Sequence, residues 1–334
     1  MNQHHQRRLK DAQGLSFLHQ FGWLRTCELG KLMWPDIVSS RQSADRLARD
    51  WLARRLVIAR DLPDAAGRAL VLAAAGVRLL AEHGVLATTG KDIGKLTEQG
   101  WLPPMTWRHD LLAVGILCEL HRQGFRVHPE AELRRHGDQG AKIPDGVAVK
   151  GAQVLFVEVE NARKTGPEMR KLASAVSLAA IGGAPMVASF KATAALVGFV
   201  PGALDERGYV ISHQERVRRA VEIAAPADFD LHWAECKLLG PAGVGEVRFT
   251  SERIKSNRAA AVLLRLDGYG WHTHEDGSVW SSYGEYNVFV WESDAHQWGY
   301  SVETKAGAVV GGGHADTIAE AKEAGAAWLT RSCP

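Results

Sequence analysis

The chain has 334 residues, 46% of them hydrophobic and 23% charged, which is enough material for more than one core and fits two or three globular domains. No stretch has the apolar length needed to span a bilayer, and the basic start (His4, His5, Arg7, Arg8, Lys10) has no apolar run behind it, so neither a membrane protein nor a secretory leader is expected. The four cysteines, Cys27, Cys118, Cys236 and Cys333, contain no C-x-x-C pair, which argues against a disulfide frame or zinc site and suits reduced thiols in a cytoplasm.

The net charge of +2 hides an asymmetry: residues 1–60 hold eleven Lys/Arg against five Asp/Glu, whereas residues 261–334 hold four against ten. A basic front suggests a polyanionic partner, and an acidic end argues against that region tracking a phosphate backbone. Residues 1–13 read as a basic N-terminal arm. Three helices are then expected: Leu15 to Phe21, Trp23 to Met33 stopped by Pro35, and a third that opens after Ser39-Ser40 and runs from Arg41 to Arg55. In the third, Ala44, Leu47, Trp51 and Leu52 form one apolar stripe and leave Arg41, Gln42, Arg46 and Arg49 largely outside it. Two extended runs, Leu56 to Leu62 and Arg68 to Leu72, joined by Pro63-Asp-Ala-Ala-Gly67, make a hairpin, and a helix from Gly76 to His83 closes the unit.

Helix, helix, basic helix, hairpin is the layout of a winged helix-turn-helix over residues 14–86, whose third helix usually enters the major groove of double-stranded DNA. Ser40, Arg41, Gln42, Arg46, Arg49 and Arg68 are the candidate DNA contacts, because arginine and glutamine at the exposed start of such a helix reach phosphates or base edges. A protein-binding adaptor with the same basic helix is the alternative, since a fold does not fix a function.

Residues 87–106, with Gly100 and Pro103-Pro104, look like a linker. A helix from Trp107 to Gln123 follows, then a strand from Phe125 to Leu133 that carries His128, Glu130 and Glu132. His109, at the start of that helix, reads as a polar surface or capping residue, with a catalytic base as the alternative. Next come Ile143-Pro144-Asp145 and two apolar runs around Gly151-Ala152, the pattern of a hairpin whose first loop glycine suits a type II′ turn. Pairing Lys150 with Gln153 sets Asp145 opposite Glu158, and the two-residue period puts Glu160 on the face of Glu158. Like charges facing each other destabilise a sheet and resist joint ionisation, so the arrangement requires a cation or exposure to solvent. A Mg²⁺ (or Mn²⁺) ion on Asp145 and Glu158 is the sharper expectation, and a solvated hairpin end the plainer one. A helix from Pro167 to about Ala180 and a strand from Pro185 to Phe190 complete an α/β core with a mixed sheet over residues 107–250.

An acid on the first strand, Pro144-Asp145 on the second and Glu158-Val159-Glu160 on the third resemble the PD-(D/E)xK superfamily of restriction-endonuclease-like nucleases. The resemblance implies that Asp145 and Glu158 hold Mg²⁺, that Glu130 or Glu132 adds a ligand, and that a lysine stabilises the transition state. Glu160 stands where the family has its lysine, so Lys164 or Lys171 takes that part, with Glu160 as base or water holder. Arg68-Ala-Leu-Val-Leu-Ala-Ala-Ala-Gly-Val-Arg-Leu-Leu, Arg108-His109-Asp110-Leu111 and the hairpin acids together are similar to the replication-relaxation family of plasmids and integrative elements, and to mobilisation relaxases with an endonuclease-like core. This implies a DNA-binding protein of a mobile element that nicks or cleaves a plasmid or integrative-element origin, with Asp145, Glu158, Glu160, Lys171 and Glu130 in catalytic roles. The alternative is an inactive accessory or regulatory DNA-binding protein with a degenerate nuclease fold.

Residues 259–334 read as a small antiparallel sheet with one covering helix: strands Ala260 to Asp267, Ser278 to Ser282, Tyr286 to Trp291 and Trp298 to Thr304, then a helix Thr317 to Trp328 after the Gly311-Gly-Gly run. Five of the eleven tryptophans lie here. Aromatic sheets stack unpaired bases, but the acidic charge favours core packing and a protein partner. His272 and His274 read as surface residues. The expected architecture is therefore α/β and α+β multidomain, with an N-terminal winged helix, a central restriction-endonuclease-like sheet and a C-terminal α+β add-on.

Overall fold

Residues 3–98, 100–136, 143–162, 164–182, 190–203, 213–239, 243–256, 271–274, 276–293 and 297–332 are described by the computed structural model of the chain. Helix α1 spans Gln3–Phe21, so the segment read as a basic arm is helical from Gln3 onward. Side-chain ties explain the correction. Arg7 pairs with Asp50 and Arg8 with Glu82, and Asp11, fully buried, accepts hydrogen bonds from Trp51 Nε1 at 2.8 Å and Arg54 Nη1 at 2.7 Å.

After α1 come β1 (Trp23–Leu24), α2 (Thr26–Met33), α3 (Ser40–Ala53), β2 (Val57–Asp61), β3 (Arg68–Leu72) and α4 (Ala74–Glu82). Trp23 and Leu24, expected to open a helix, pair instead with Val71 and Leu70, and the antiparallel order is β1-β3-β2. Gly22, at φ +79, ends α1 in the left-handed region and turns the chain into that strand. Leu15, Leu18, Leu29, Leu32, Trp51 and Leu80 fill the core beneath, each no more than 1% exposed. The pair α2 and α3 approaches closely at Gly30, where a Cβ would lie 2.8 Å from the Ser40 carbonyl carbon.

Residues 87–106 are not a bare linker. They hold a hairpin of β4 (Lys95–Thr97) and β5 (Gly100–Leu102), and Ile93 and Trp101 pack with Trp23, Trp107 and Leu111.

Helix α5 (Trp107–Arg122) lies against a six-stranded sheet ordered β11-β10-β9-β8-β7-β6, made of β6 (Arg126–Pro129), β7 (Gly146–Lys150), β8 (Gln153–Glu160), β9 (Ala194–Phe199), β10 (Phe229–Leu239) and β11 (Gly243–Ile254). Strands β6, β7 and β8 are antiparallel, whereas β8, β9 and β10 run parallel. Ile116 and Leu117 of α5 sit over Gly198 and Gly146, where a Cβ would come within 2.2 and 2.8 Å of them. One hydrophobic cluster runs from Leu15 and Trp51 through Ile116 to Val157 and Leu196, so the N-terminal helices and the sheet share a core.

Two sequence expectations fail in this sheet. The strand expected to reach Leu133 stops at Pro129, and Glu130–His136 forms α6. Proline lacks the N–H that a ladder needs, and Glu130 and Glu132 in the first turn of α6 favour its positive end. The strand expected at Pro185 to Phe190 falls mostly on 183–189, outside the described residues, and the parallel strand is β9.

The chain divides into two compact units, Met1–Thr165 with Leu178–Glu215 and Asp230–Glu252, and Gly166–Ser177 with Arg216–Phe229 and Arg253–Pro334. The second contains most of α7 (Gly166–Ala180) and α8 (His213–Ala224), and the sequential antiparallel sheet β12 (His272–Thr273), β13 (Val279–Tyr283), β14 (Tyr286–Glu292), β15 (Trp298–Thr304) and β16 (Val309–Ala315). Helix α9 (Ile318–Ser332) covers one face, burying Val288, Val290 and Val302 against Ala321, Ala326 and Leu329. The glycine run is part of β16: a Cβ on Gly311 would lie 2.3 Å from Trp328 Nε1, so only glycine admits that ring. On the opposite face His272, Trp280 and Phe289 line up across three strands. The strand expected at Ala260 to Asp267 lies outside the described residues. Among the described residues no helix is long and apolar enough to cross a membrane. The architecture is a mixed α/β and α+β one with several sheets.

Candidate functional site

The hairpin of β7 and β8 turns at Gly151, whose φ of +58 is what a type II′ turn asks of its first residue. Pairs run from Lys150 with Gln153 to Gly146 with Val157, which is the expected register; Asp145 is the residue just before β7. Glu158 and Glu160 share the face away from α5 and lie beside Val197 and Phe199 of β9. They are not solvated: Glu158 is 4% and Glu160 1% exposed. The ammonium of Lys164 lies 3.2 Å from Glu160 Oε1 and supplies it with a counter-charge.

Asp145 turns its carboxylate to the strand edge, where Oδ2 accepts the Val159 N–H at 2.6 Å. The same oxygen lies 3.2 Å from His109 Nε2, which is also 3.2 Å from the Val159 carbonyl oxygen, while His109 Nδ1 faces Asp110 Oδ1 at 3.6 Å. Both neighbours of Nε2 are acceptors, so that nitrogen carries a proton. His109 is therefore no surface cap. It bridges the first turn of α5 to the end of β8. Burial pulls its pKa down, but hydrogen bonds and charge from Asp110 and Asp145 outweigh this and raise it to about 10. The only sequence signal for this role was the Arg108-His109-Asp110 run.

A cavity of about 390 Å³ is bordered by His109, Asp110, Glu130, Arg134 and Asp145. Burial raises the Glu130 pKa, Arg134 pulls it back, and the charges of Asp145 and Asp110 add to the rise. Glu132 is engaged elsewhere, accepting from Gln20 Nε2 at 3.1 Å and facing His128 Nδ1 at 3.1 Å. Lys171 is an exposed residue of α7, in the second unit, whereas the hairpin acids and Lys164 belong to the first. Burial pushes the thiols of Cys27 and Cys236 up to about 12.

Magnesium takes hard oxygen ligands with near-octahedral geometry. Here the chain's own cations occupy the acids: His109 stands between Asp145 and Asp110, Arg134 on Glu130 and Lys164 on Glu160. Among the described residues no group of three or more His, Cys, Asp or Glu side chains gathers as a metal site requires. The arrangement shown does not fit a ready Mg²⁺ centre.

His109 makes stability depend on pH. Its folded pKa lies above the ordinary 6.5, so its contribution is complete below pH 6.5 and is lost as pH rises through about 10. The imidazole side chain is 29% exposed, which screens the effect. Urea unfolding between these limits is expected to show a loss of roughly 2–4 kcal/mol, largely absent in His109→Gln. Equal pH profiles for the two proteins would contradict the bridge.

On α3 the buried side chains are Ala44, Ala48 and Trp51, while Arg41, Gln42, Arg46 and Arg49 are exposed. Ser40 is the first helical residue and half-buried, not an N-cap, and Arg68 is exposed at the start of β3. Among the described residues Arg46 and Arg49 make only long contacts, 3.4 Å, to carbonyls of their own helix. None of Arg41, Arg46, Arg49 and Arg68 has an acidic partner among the described residues. A cleft of about 870 Å³ lies between α3 and the loop Ala65–Arg68, with Arg41, Arg49 and Arg68 on its lining.

No family model, curated protein or solved structure matches the chain.

Proposed function

We propose that the protein binds double-stranded DNA through a winged helix-turn-helix, with α3 as the reading helix and the β2–β3 loop as the wing. The order β1-β3-β2, with α2 and α3 between the first two strands in sequence, supports that layout. The observation that carries the reading is the set of exposed arginines on α3 without acidic partners among the described residues, since surface arginines without such partners leave a field that attracts phosphate. The target class is the duplex of a plasmid or integrative-element origin, and the sheet with α5 is a restriction-endonuclease-like core in an accessory role, with His109 beside Asp145, Arg134 beside Glu130 and Lys164 beside Glu160. The acidic C-terminal region, residues 261–334, serves a protein partner. Titration of the full chain with random and origin duplexes over a salt series tests the reading: absence of salt-dependent binding to any duplex overturns it.

Metal-dependent nicking is the second reading, favoured by the gathering of Asp110, Glu130 and Asp145 on the border of one cavity. Incubation with supercoiled origin plasmid and Mg²⁺ or Mn²⁺ is then expected to give open circles that Asp145→Asn abolishes. Plasmid that stays supercoiled with both metals removes this reading and leaves the accessory one.

A further inference from the structure

The cleft beside α3 is bordered by a segment from outside the N-terminal helices. Gly243, Val244 and Gly245, at the start of β11, line it together with Arg41, Arg49 and Arg68. This tip is fastened at two points. Val244 sits over Gly115 of α5, where a Cβ would come within 2.7 Å of it, and its carbonyl oxygen accepts a hydrogen bond from Lys31 Nζ of α2 at 3.3 Å.

Lys31 also lines the cleft and has two further N–H donors beyond the one given to Val244. Arg25 and Glu28, at the floor, cancel in a buried ion pair. Lys31, Arg41, Arg49 and Arg68 against Asp45 leave the lining strongly cationic. The volume, about 870 Å³, exceeds what a single small anion fills and suits a length of polyanionic strand. Glycine lets backbone approach a ligand closely, and Gly245 is exposed.

We propose that this cleft seats one phosphodiester strand of the duplex read by α3, and that the Gly243–Gly245 tip of the central sheet is a direct contact on that strand. The proposal rests on the DNA-binding reading and extends it: the sheet takes part in binding instead of only supporting the fold.

Gly245→Lys and Gly245→Glu test it, because they add side chains of similar bulk and opposite charge. Fluorescence anisotropy with a random duplex is expected to show Kd falling about fivefold for Gly245→Lys and rising about fivefold for Gly245→Glu. Lys31→Met is expected to reduce the slope of log K against log salt by about one. If both Gly245 variants bind like the natural chain while Arg46→Ala still weakens binding, the tip is outside the interface and the DNA reading survives. Equal weakening by both Gly245 variants reports a steric fault and also overturns the proposal. Absence of binding by the natural chain to any duplex removes the DNA reading itself.

Discussion

Replacing Arg41, Arg46 and Arg49 together with alanine is expected to weaken binding to duplex DNA by about a hundredfold or more near physiological salt, and to lower the slope of log K against log salt by about 0.9 for each phosphate that is no longer neutralised. The magnitude follows from where these side chains stand. They project from a helix whose opposite face, Ala44, Ala48 and Trp51, is buried, and none of them is spent on an acid among the described residues. Their removal therefore leaves the core intact, and the unfolding free energy is expected to move by less than about 0.5 kcal/mol per site. Gln42, on the same face, differs in kind: a neutral amide contributes to base discrimination and little to the salt slope. Anisotropy titrations at several salt concentrations separate the two. Unchanged affinity in the triple variant, with its fold intact by circular dichroism, would sink the assignment of α3 as the reading helix.

Helix α3 and the β7–β8 hairpin were legible in the sequence because their determinants are local. The apolar spacing of Ala44, Leu47 and Trp51 marks the buried side of a helix, and Gly151-Ala152 sets a register that the structure keeps from Lys150 with Gln153 to Gly146 with Val157. What escaped depends on partners far away in the chain. Glu130 was placed on a strand, because nothing local weighed Pro129 against the apolar run before it. The Gly311 run carries no strand signal of its own, because its place in β16 depends on Trp328, seventeen positions on, whose ring lies against it. Strands β10 and β11 were missed, and with them the tip that borders the cleft.

The hairpin acids carry the same lesson in electrostatic form. Sequence reasoning asked for a compensating cation or exposure to solvent at Asp145, Glu158 and Glu160, with a metal as the sharper candidate. Protein cations instead meet Asp145 and Glu160, from His109, fifty positions before Val159, and from Lys164, four after Glu160. Pairwise spacing along a strand reveals the charge that needs an answer, but not which helix delivers it.

Trp51→Ala is expected to cost the first unit about 3–5 kcal/mol of stability, the upper end of what a single core truncation removes. The indole is fully buried, and α1 crosses it so closely that a Cβ on Gly14 would lie 2.6 Å from the ring. Truncation leaves a cavity between α1 and α3 and strips Asp11 Oδ1 of the indole N–H that it accepts at 2.8 Å. Trp51→Phe separates these losses: it keeps much of the volume but not the donor, and is expected to cost about 1–3 kcal/mol. Because Trp51 anchors the helix that carries Arg46 and Arg49, DNA affinity falls together with stability in Trp51→Ala, whereas the arginine variants lose affinity alone. Urea unfolding followed by far-ultraviolet circular dichroism, paired with anisotropy on the same samples, reads both quantities. A loss under about 1 kcal/mol would mean that α1 does not clamp α3 through this ring.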